Sequence, residues 1–143
     1  MRKINLQLNN IKIPILVGSN ILKTINPENY VKKNDVVIIT NSTIAKLYLK
    51  QTKRMFKDYN VDSLILRDGE KYKNIKTLQQ IHDYLIKNKY DRSLTIVALG
   101  GGVIGDMVAF AADTFMRGVQ LIHIPTTLPV SYTHLRAHET PLH

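Results

Sequence analysis

The stretch Thr95-Ile96-Val97-Ala98-Leu99-Gly100-Gly101-Gly102-Val103-Ile104-Gly105-Asp106 decides how this chain folds. A β-branched apolar run meets three consecutive glycines, and a helical pattern follows. A join of this kind favours anions. Glycines let the backbone approach closely, and the first helical turn offers unpaired N–H groups at the positive end of its dipole. Gly100, Gly102 and Gly105 fit G-x-G-x-x-G. The acidic residue that a dinucleotide turn carries about 20 residues later is missing, because the next strand ends Ile122-His123-Ile124-Pro125. The glycines therefore fit two readings, a phosphate cradle or a close strand–helix connection.

Outward from this stretch, apolar β-branched runs at 35–40, 61–66 and 119–124 read as further strands. Helical patterns separate them. The first helix follows the capping pair Asn41-Ser42 and carries Ile44, Leu47, Tyr48, Met55 and Phe56 on its apolar side. The second follows Asn74 with Ile75, Leu78, Ile81, Leu85 and Ile86. The third carries Val103, Ile104, Met107, Val108, Ala111 and Phe115 and ends at Gly118. Strands alternating with such helices imply right-handed crossovers and an α/β fold with a Rossmann-like parallel sheet. Ahead of it, residues 3–8 and 11–17 flank Asn9-Asn10 as an N-terminal β-hairpin, with Pro14 pushing the second strand towards an edge. A short helix opens at Gly18-Ser19-Asn20, runs to about Ile25 and stops at Asn26-Pro27.

Ligands of such sheets sit beyond the carboxyl ends of the strands. That edge gathers Asn41, Asp68-Gly69-Glu70, residues 100–106 and Pro125-Thr126-Thr127. Each has a plain alternative. Asn41 touches a ribose or caps a helix. Glu70 accepts from ribose hydroxyls and Lys73 meets a phosphate, or the loop is a solvated turn. Asp106 bonds a cofactor or complements the helix dipole, and Arg117 binds a phosphate or pairs with a helix C-terminus. Thr126 and Thr127 bond a nucleotide or end a strand. His82, expected exposed on a helix, and His123, in a strand, read as structural.

The 143 residues suffice for one domain with a core, and 44% of them are hydrophobic. The absence of cysteine removes disulfides, zinc thiolate sites and cysteine nucleophiles. With no signal-peptide core and no apolar run near the ~20 residues of a membrane span, a cytoplasmic protein is expected. The net charge of +9 comes from scattered lysines without aromatic interleaving, so neither a nucleic-acid nor a membrane partner is expected.

In order and spacing, several motifs together resemble the 3-dehydroquinate synthase family of sugar-phosphate cyclases. They are Asp68-Gly69-Glu70-Lys71-Tyr72-Lys73, residues 99–106, Phe110-Ala111-Ala112, Arg117-Gly118 and Ile124-Pro125-Thr126-Thr127-Leu128. The resemblance covers residues 1 to about 128. It implies the NAD-binding N-terminal half of a two-domain lyase of the shikimate pathway. That enzyme converts 3-deoxy-arabino-heptulosonate 7-phosphate to 3-dehydroquinate and phosphate. NAD oxidises a ring hydroxyl and is regenerated, and a divalent zinc or cobalt polarises the oxygens. It also implies NAD contacts at Asn41, Asp68, Gly69, Glu70, Lys71, Tyr72, Lys73, Gly102, Val103, Ile104, Gly105, Asp106, Thr126 and Thr127. Arg117 would reach the substrate phosphate across a homodimer. The metal ligands and catalytic lysines of the family lie in sequence that this chain lacks, so no catalytic or metal residue is assigned here and turnover is not expected. Ala109 and Asp113 stand where the family often has glycine and alanine. Two other readings share the triple glycine: an NAD-dependent polyol or glycerol dehydrogenase, and a bare nucleotide-binding module.

Composition breaks near Pro129. Residues 129–143 hold His134, His138 and His143 at a spacing that fits no metal motif. They resemble a translated sequencing adapter, so they are expected to be a non-native tail to a domain of residues 1–128.

Overall fold

The computed structural model describes residues 2–9, 11–18, 20–126 and 132–136, the last as backbone. Seven strands form one mixed sheet: β1 (Arg2–Leu8), β2 (Ile11–Val17), β3 (Asp35–Asn41), β4 (Asn60–Leu66), β5 (Thr95–Gly100), β6 (Gln120–Pro125) and β7 (Tyr132–Arg136), in the order β1-β2-β7-β6-β5-β3-β4. The parallel part is β4-β3-β5-β6, and β7 joins it antiparallel to the hairpin. The helices are α1 (Ile21–Thr24), α2 (Ser42–Ile44), α3 (Lys50–Met55), α4 (Ile75–Lys87) and α5 (Gly102–Thr114). The α/β expectation, parallel sheet and N-terminal hairpin included, is met.

Alternation along the central strands sends side chains to two cores, as expected of strands covered on both faces. Val37, Ile39, Ile96, Ala98 and Leu121 meet α4 and α5 through Ile81, Leu85, Ile104, Val108 and Ala111. Val36, Ile38, Val97, Leu99 and Ile122 meet Ile21, Val31 and Phe56 on the other face. All six residues of β5 are buried.

Four sequence expectations are corrected. Leu47 and Tyr48 point outward, at 65% and 36% exposure, while Thr52 is buried. The cause is a π-helical turn at Ala45–Leu49 between α2 and α3. Its wider turn moves the inward position from 48 to 49. Ile75 and Ile86 are likewise exposed, and Thr77 takes the inward place in the first turn of α4. Pro14 does not mark an edge strand: β1 is the edge, and β2 pairs with β7 through Ile15, Leu16 and Val17. That ladder stops one residue short of Pro14, so the missing N–H is not required there. His82 is half-buried, not exposed, because its Nε2 lies 2.8 Å from Thr114 Oγ1 and ties α4 to α5.

Candidate functional site

The strand order locates the site. From β3 the chain crosses outward to β4, and from β5 it crosses the other way to β6. The loops that leave β3 and β5 therefore diverge, and a crevice opens between their carboxyl ends. Asn41 stands on one side of it and residues 100–102 on the other.

The glycine turn is built by need. Gly100 has φ +152°, and a Cβ there would sit 3.1 Å from Ile104 Cβ. Gly101 begins α5 without a side-chain cap, so the first N–H groups of a 13-residue helix keep no side-chain acceptor. At Gly102 a Cβ would meet nothing within 4 Å. Its missing side chain is not filling a protein gap, and it leaves the helix end open to a ligand. Gly105 differs, because a Cβ there would lie 3.6 Å from His123 Nδ1. That is an ordinary contact, so packing of α5 on β6 does not require a glycine there. Close packing therefore requires the glycine at Gly100, while Gly102 leaves the helix end open.

Two polar links tie neighbouring loops to this turn. Asn41 Oδ1 accepts from Ile44 N at 2.8 Å, the capping role, while its Nδ2 donates to Asp68 Oδ1 at 3.2 Å. Thr43 Oγ1 donates to Asp68 Oδ2 at 2.8 Å. Asp68 is thereby fixed against the end of β3. Gly69 (φ +127°) turns the chain into a single 3-10 turn, Glu70–Tyr72. Lys73 Nζ then donates to Asp106 Oδ2 at 2.9 Å, bridging the β4–α4 loop to the second turn of α5. That hydrogen bond, then the charge of Asp106, raises the lysine's pKa. The guanidinium of Arg67 and the ammonium of Lys71 lie 5.8 and 5.1 Å from the Tyr72 ring centroid. The hydrogen bond from Arg67 is the main cause that lowers this phenol's pKa. Glu70 and Asp106 are exposed.

Thr126 N donates to Gly100 O at 3.2 Å, which brings the end of β6 to the turn. Thr126 Oγ1 and Thr40 Oγ1 are out of water and have no hydrogen-bond partner among the described residues. Thr40 and Thr43 belong to the segment 40–48, which shares the family resemblance, but the sequence assigns neither a role; a threonine closing the apolar run Val36-Val37-Ile38-Ile39 was the available signal. Thr127 lies outside the described residues.

Arg117 is not brought to this edge. It stands beyond the far end of α5, about 20 Å of helix away. Its φ of +66° follows +47° at Met116 and precedes +105° at Gly118. Asp113 keeps one buried carboxylate oxygen without a partner among the described residues. Among those residues no three His, Asp or Glu side chains group to hold a metal, and no helix is long and apolar enough to cross a membrane. His138 and His143 lie outside them.

Comparison with known proteins agrees with this geometry. Residues 63–132 match the family model for the 3-dehydroquinate synthase N-terminal region. The 3-dehydroquinate synthase of Hydrogenovibrio crunogenus is 47% identical over 131 residues, and that of Acinetobacter baylyi 44% over 134. Each alignment covers 90% of this chain and 36% of the relative. Among solved structures, 2-deoxy-scyllo-inosose synthase with carbaglucose-6-phosphate, NAD+ and Co2+ superposes with a TM-score of 0.79 at 24% identity. That match covers 87% of this chain and 35% of the other. The 2-epi-5-epi-valiolone synthase of Streptomyces hygroscopicus, with NAD+ and Zn2+ bound, gives 0.63 at 23%, over 78% and 32%. These two share the fold. The chain thus resembles the 3-dehydroquinate synthase family, and it spans about a third of the length of the relatives it matches.

Proposed function

We propose that this chain is the NAD-binding part of a 3-dehydroquinate synthase. The observation that carries the reading is the open N-terminus of α5 at the β3/β5 crevice, where, among the described residues, Gly102 leaves space and the hydroxyls of Thr40 and Thr126 have no partner. A dinucleotide fits those groups. Backbone N–H groups of residues 102–104 take the pyrophosphate, with Gly105 next to them in α5. Lys73 adds positive charge beside it. Asp68, Gly69, Glu70 and Asp106 offer acceptors for ribose hydroxyls, with Asn41 and Thr43 keeping Asp68 in place. Lys71 and Tyr72 border this loop, and Thr126 with Thr127 closes the β6 side. When bound, NAD supplies a hydride acceptor that is regenerated in each turnover.

The full-length protein converts 3-deoxy-arabino-heptulosonate 7-phosphate to 3-dehydroquinate and phosphate, as a cytoplasmic homodimer using zinc or cobalt. It binds neither nucleic acid nor membrane. The described residues present no donor set that fits the metal, so no step is assigned to it here. The distance of Arg117 from its own crevice supports a role at the partner's substrate phosphate. Residues 129–143 are a tail foreign to the domain of residues 1–128, although β7 within it pairs with β2 and β6; the family match ends near that boundary, at residue 132. Sequencing the source locus across codon 129 tests that point.

The cofactor reading is tested on the 143-residue chain by calorimetric titration with NAD. Gly102→Ala has room to fold, since nothing lies within 4 Å of the new methyl. It is expected to weaken NAD about tenfold by crowding the helix end. Equal affinity of the two folded proteins would overturn the assignment. The chain alone should give no dehydroquinate, and turnover by it would refute the division of labour.

A further inference from the structure

A cavity of about 620 Å3 lies at the opposite, amino edge of the sheet. Its floor is the start of β5 and β6, and the hairpin and the 29–33 loop form its walls. The floor is tied together by polar bonds: Thr95 Oγ1 donates to Gln120 Oε1 at 3.0 Å, and Gln120 Nε2 donates to Tyr30 O at 2.8 Å. Five cationic side chains line it, Lys3, Lys12, Lys32, Lys33 and Arg92, and no lining residue is Asp or Glu. Two of the five are occupied. Lys32 Nζ donates to Glu28 O at 2.7 Å, and Lys3 Nζ lies 5.5 Å from the Tyr30 ring centroid. Lys12, Lys33 and Arg92 form no ion pair among the described residues, where the one ion pair is Lys73–Asp106. The acid close by, Asp91, accepts from the N–H and hydroxyl of Ser93 at 2.9 and 2.6 Å and also feels the charge of Lys33.

Like charges gathered around one concavity repel in the empty state, so a counter-anion is favoured there. The volume falls within the range of small-molecule sites and is too small and concave for a duplex. We infer that this cavity binds a small anion carrying two linked phosphates, held by Lys12, Lys33 and Arg92, at a site separate from the crevice at the carboxyl edge. The chemistry is that of a diphosphate, free or as the end of a nucleoside diphosphate. Arginine and lysine pair with phosphate oxygens through short charge-assisted bonds.

The test is calorimetric titration of the 143-residue chain, kept saturated with NAD so that the carboxyl-edge crevice is filled, with inorganic pyrophosphate, ADP and orthophosphate in turn. Saturable one-to-one pyrophosphate binding is expected, stronger than that of orthophosphate and weakened by salt. Tighter ADP than pyrophosphate assigns the nucleoside source, and the reverse assigns the free anion; either supports the inference. The double variant Lys33→Glu with Arg92→Glu should lose pyrophosphate about tenfold or more and keep its NAD titration. The control Lys46→Glu with Lys50→Glu makes the same change in net charge on residues outside the cavity, and it should leave both titrations alone. Where the glutamate variant fails to fold by circular dichroism, Lys33→Gln with Arg92→Gln is read instead. Equal weakening in both charge pairs, competition between pyrophosphate and NAD, or an oligonucleotide outcompeting pyrophosphate at these residues would each overturn the inference. Failure of NAD binding with pyrophosphate binding intact would strike the cofactor reading alone.

Discussion

The two sides of the sheet obey different rules although both are rich in isoleucine, leucine and valine. In the parallel side, β5 is buried along its whole length and β3 from its second residue on. In the hairpin, residues 2–7 of β1 are exposed, including Ile4 at 38% and Leu6 at 45%. Strand propensity does not distinguish them. The difference is cover: α4 and α5 lie over one face of the parallel strands and α1 and α3 over the other, whereas no helix among the described residues lies on β1. The lesson is that the parallel side carries its own core and the hairpin depends on what it is joined to.

The largest expected effect tests that contrast directly. Ile96→Ala removes a fully buried side chain flanked by strands and helices, and should cost about 3–4 kcal/mol in urea unfolding. Leu6→Ala, on a half-exposed side chain, should cost about 1 kcal/mol or less. Equal losses would break the comparison, since they would mean that the hairpin is covered in solution.

Gly100→Ala comes next and sharpens it at the site. The substitution forces a left-handed φ on a residue with a Cβ and drives that Cβ into Ile104. About 3 kcal/mol of destabilisation is expected from the combined backbone strain and crowding. The same change at Gly102 should leave the unfolding midpoint nearly unmoved, so the pair separates a glycine needed for the fold from one that keeps space for a ligand.

Asp113→Ala should act in the opposite direction. It removes a buried carboxylate oxygen with no partner and adds a better helix former, so a gain of about 1 kcal/mol is expected. A loss would show that Asp113 has a partner in solution and that the parallel side is less self-contained than it looks.

What was legible in the sequence follows the same division. Local chemistry was readable wherever it decides the structure: Asn41 and Asn74 cap their helices through Ile44 N at 2.8 Å and Thr77 N at 3.0 Å. The buried stripe of α5 matches its periodicity because the helix lies flat on the sheet. Periodicity failed at Leu47 and Tyr48 because a π turn changes the repeat, and no residue type announces one. It failed at Ile75 and Ile86 because an amphipathic stripe on a surface helix is only as wide as its contact. The insertion of β7 between β2 and β6 depends on backbone pairing alone, which leaves no pattern to read. At the site, the ordered motifs exposed the participants, but not that Asp68 is held by Asn41 and Thr43 or that Lys73 reaches Asp106. Those links join residues 25 to 33 positions apart, and sequence spacing does not encode them.

The Lys73–Asp106 pair gives the smallest expected effect on stability, and the most specific one on function. Both side chains are well exposed, at 42% and 68%, so water and salt screen their attraction. Lys73→Met should therefore leave the unfolding midpoint within error. The raised pKa of Lys73 implies a stabilising contribution that is complete below pH 10.5 and declines as pH rises beyond it. A small alkaline difference between Lys73→Met and the parent chain is the expected trace. If the lysine also faces a pyrophosphate at the end of α5, NAD should bind Lys73→Met more weakly and with a shallower salt dependence. A variant of unchanged stability and unchanged NAD affinity would reduce the pair to an ornament of the loop. Weakened NAD with an unchanged midpoint would show that this contact is spent on the ligand and not on the fold, which is the division that separates the crevice from the strands beneath it.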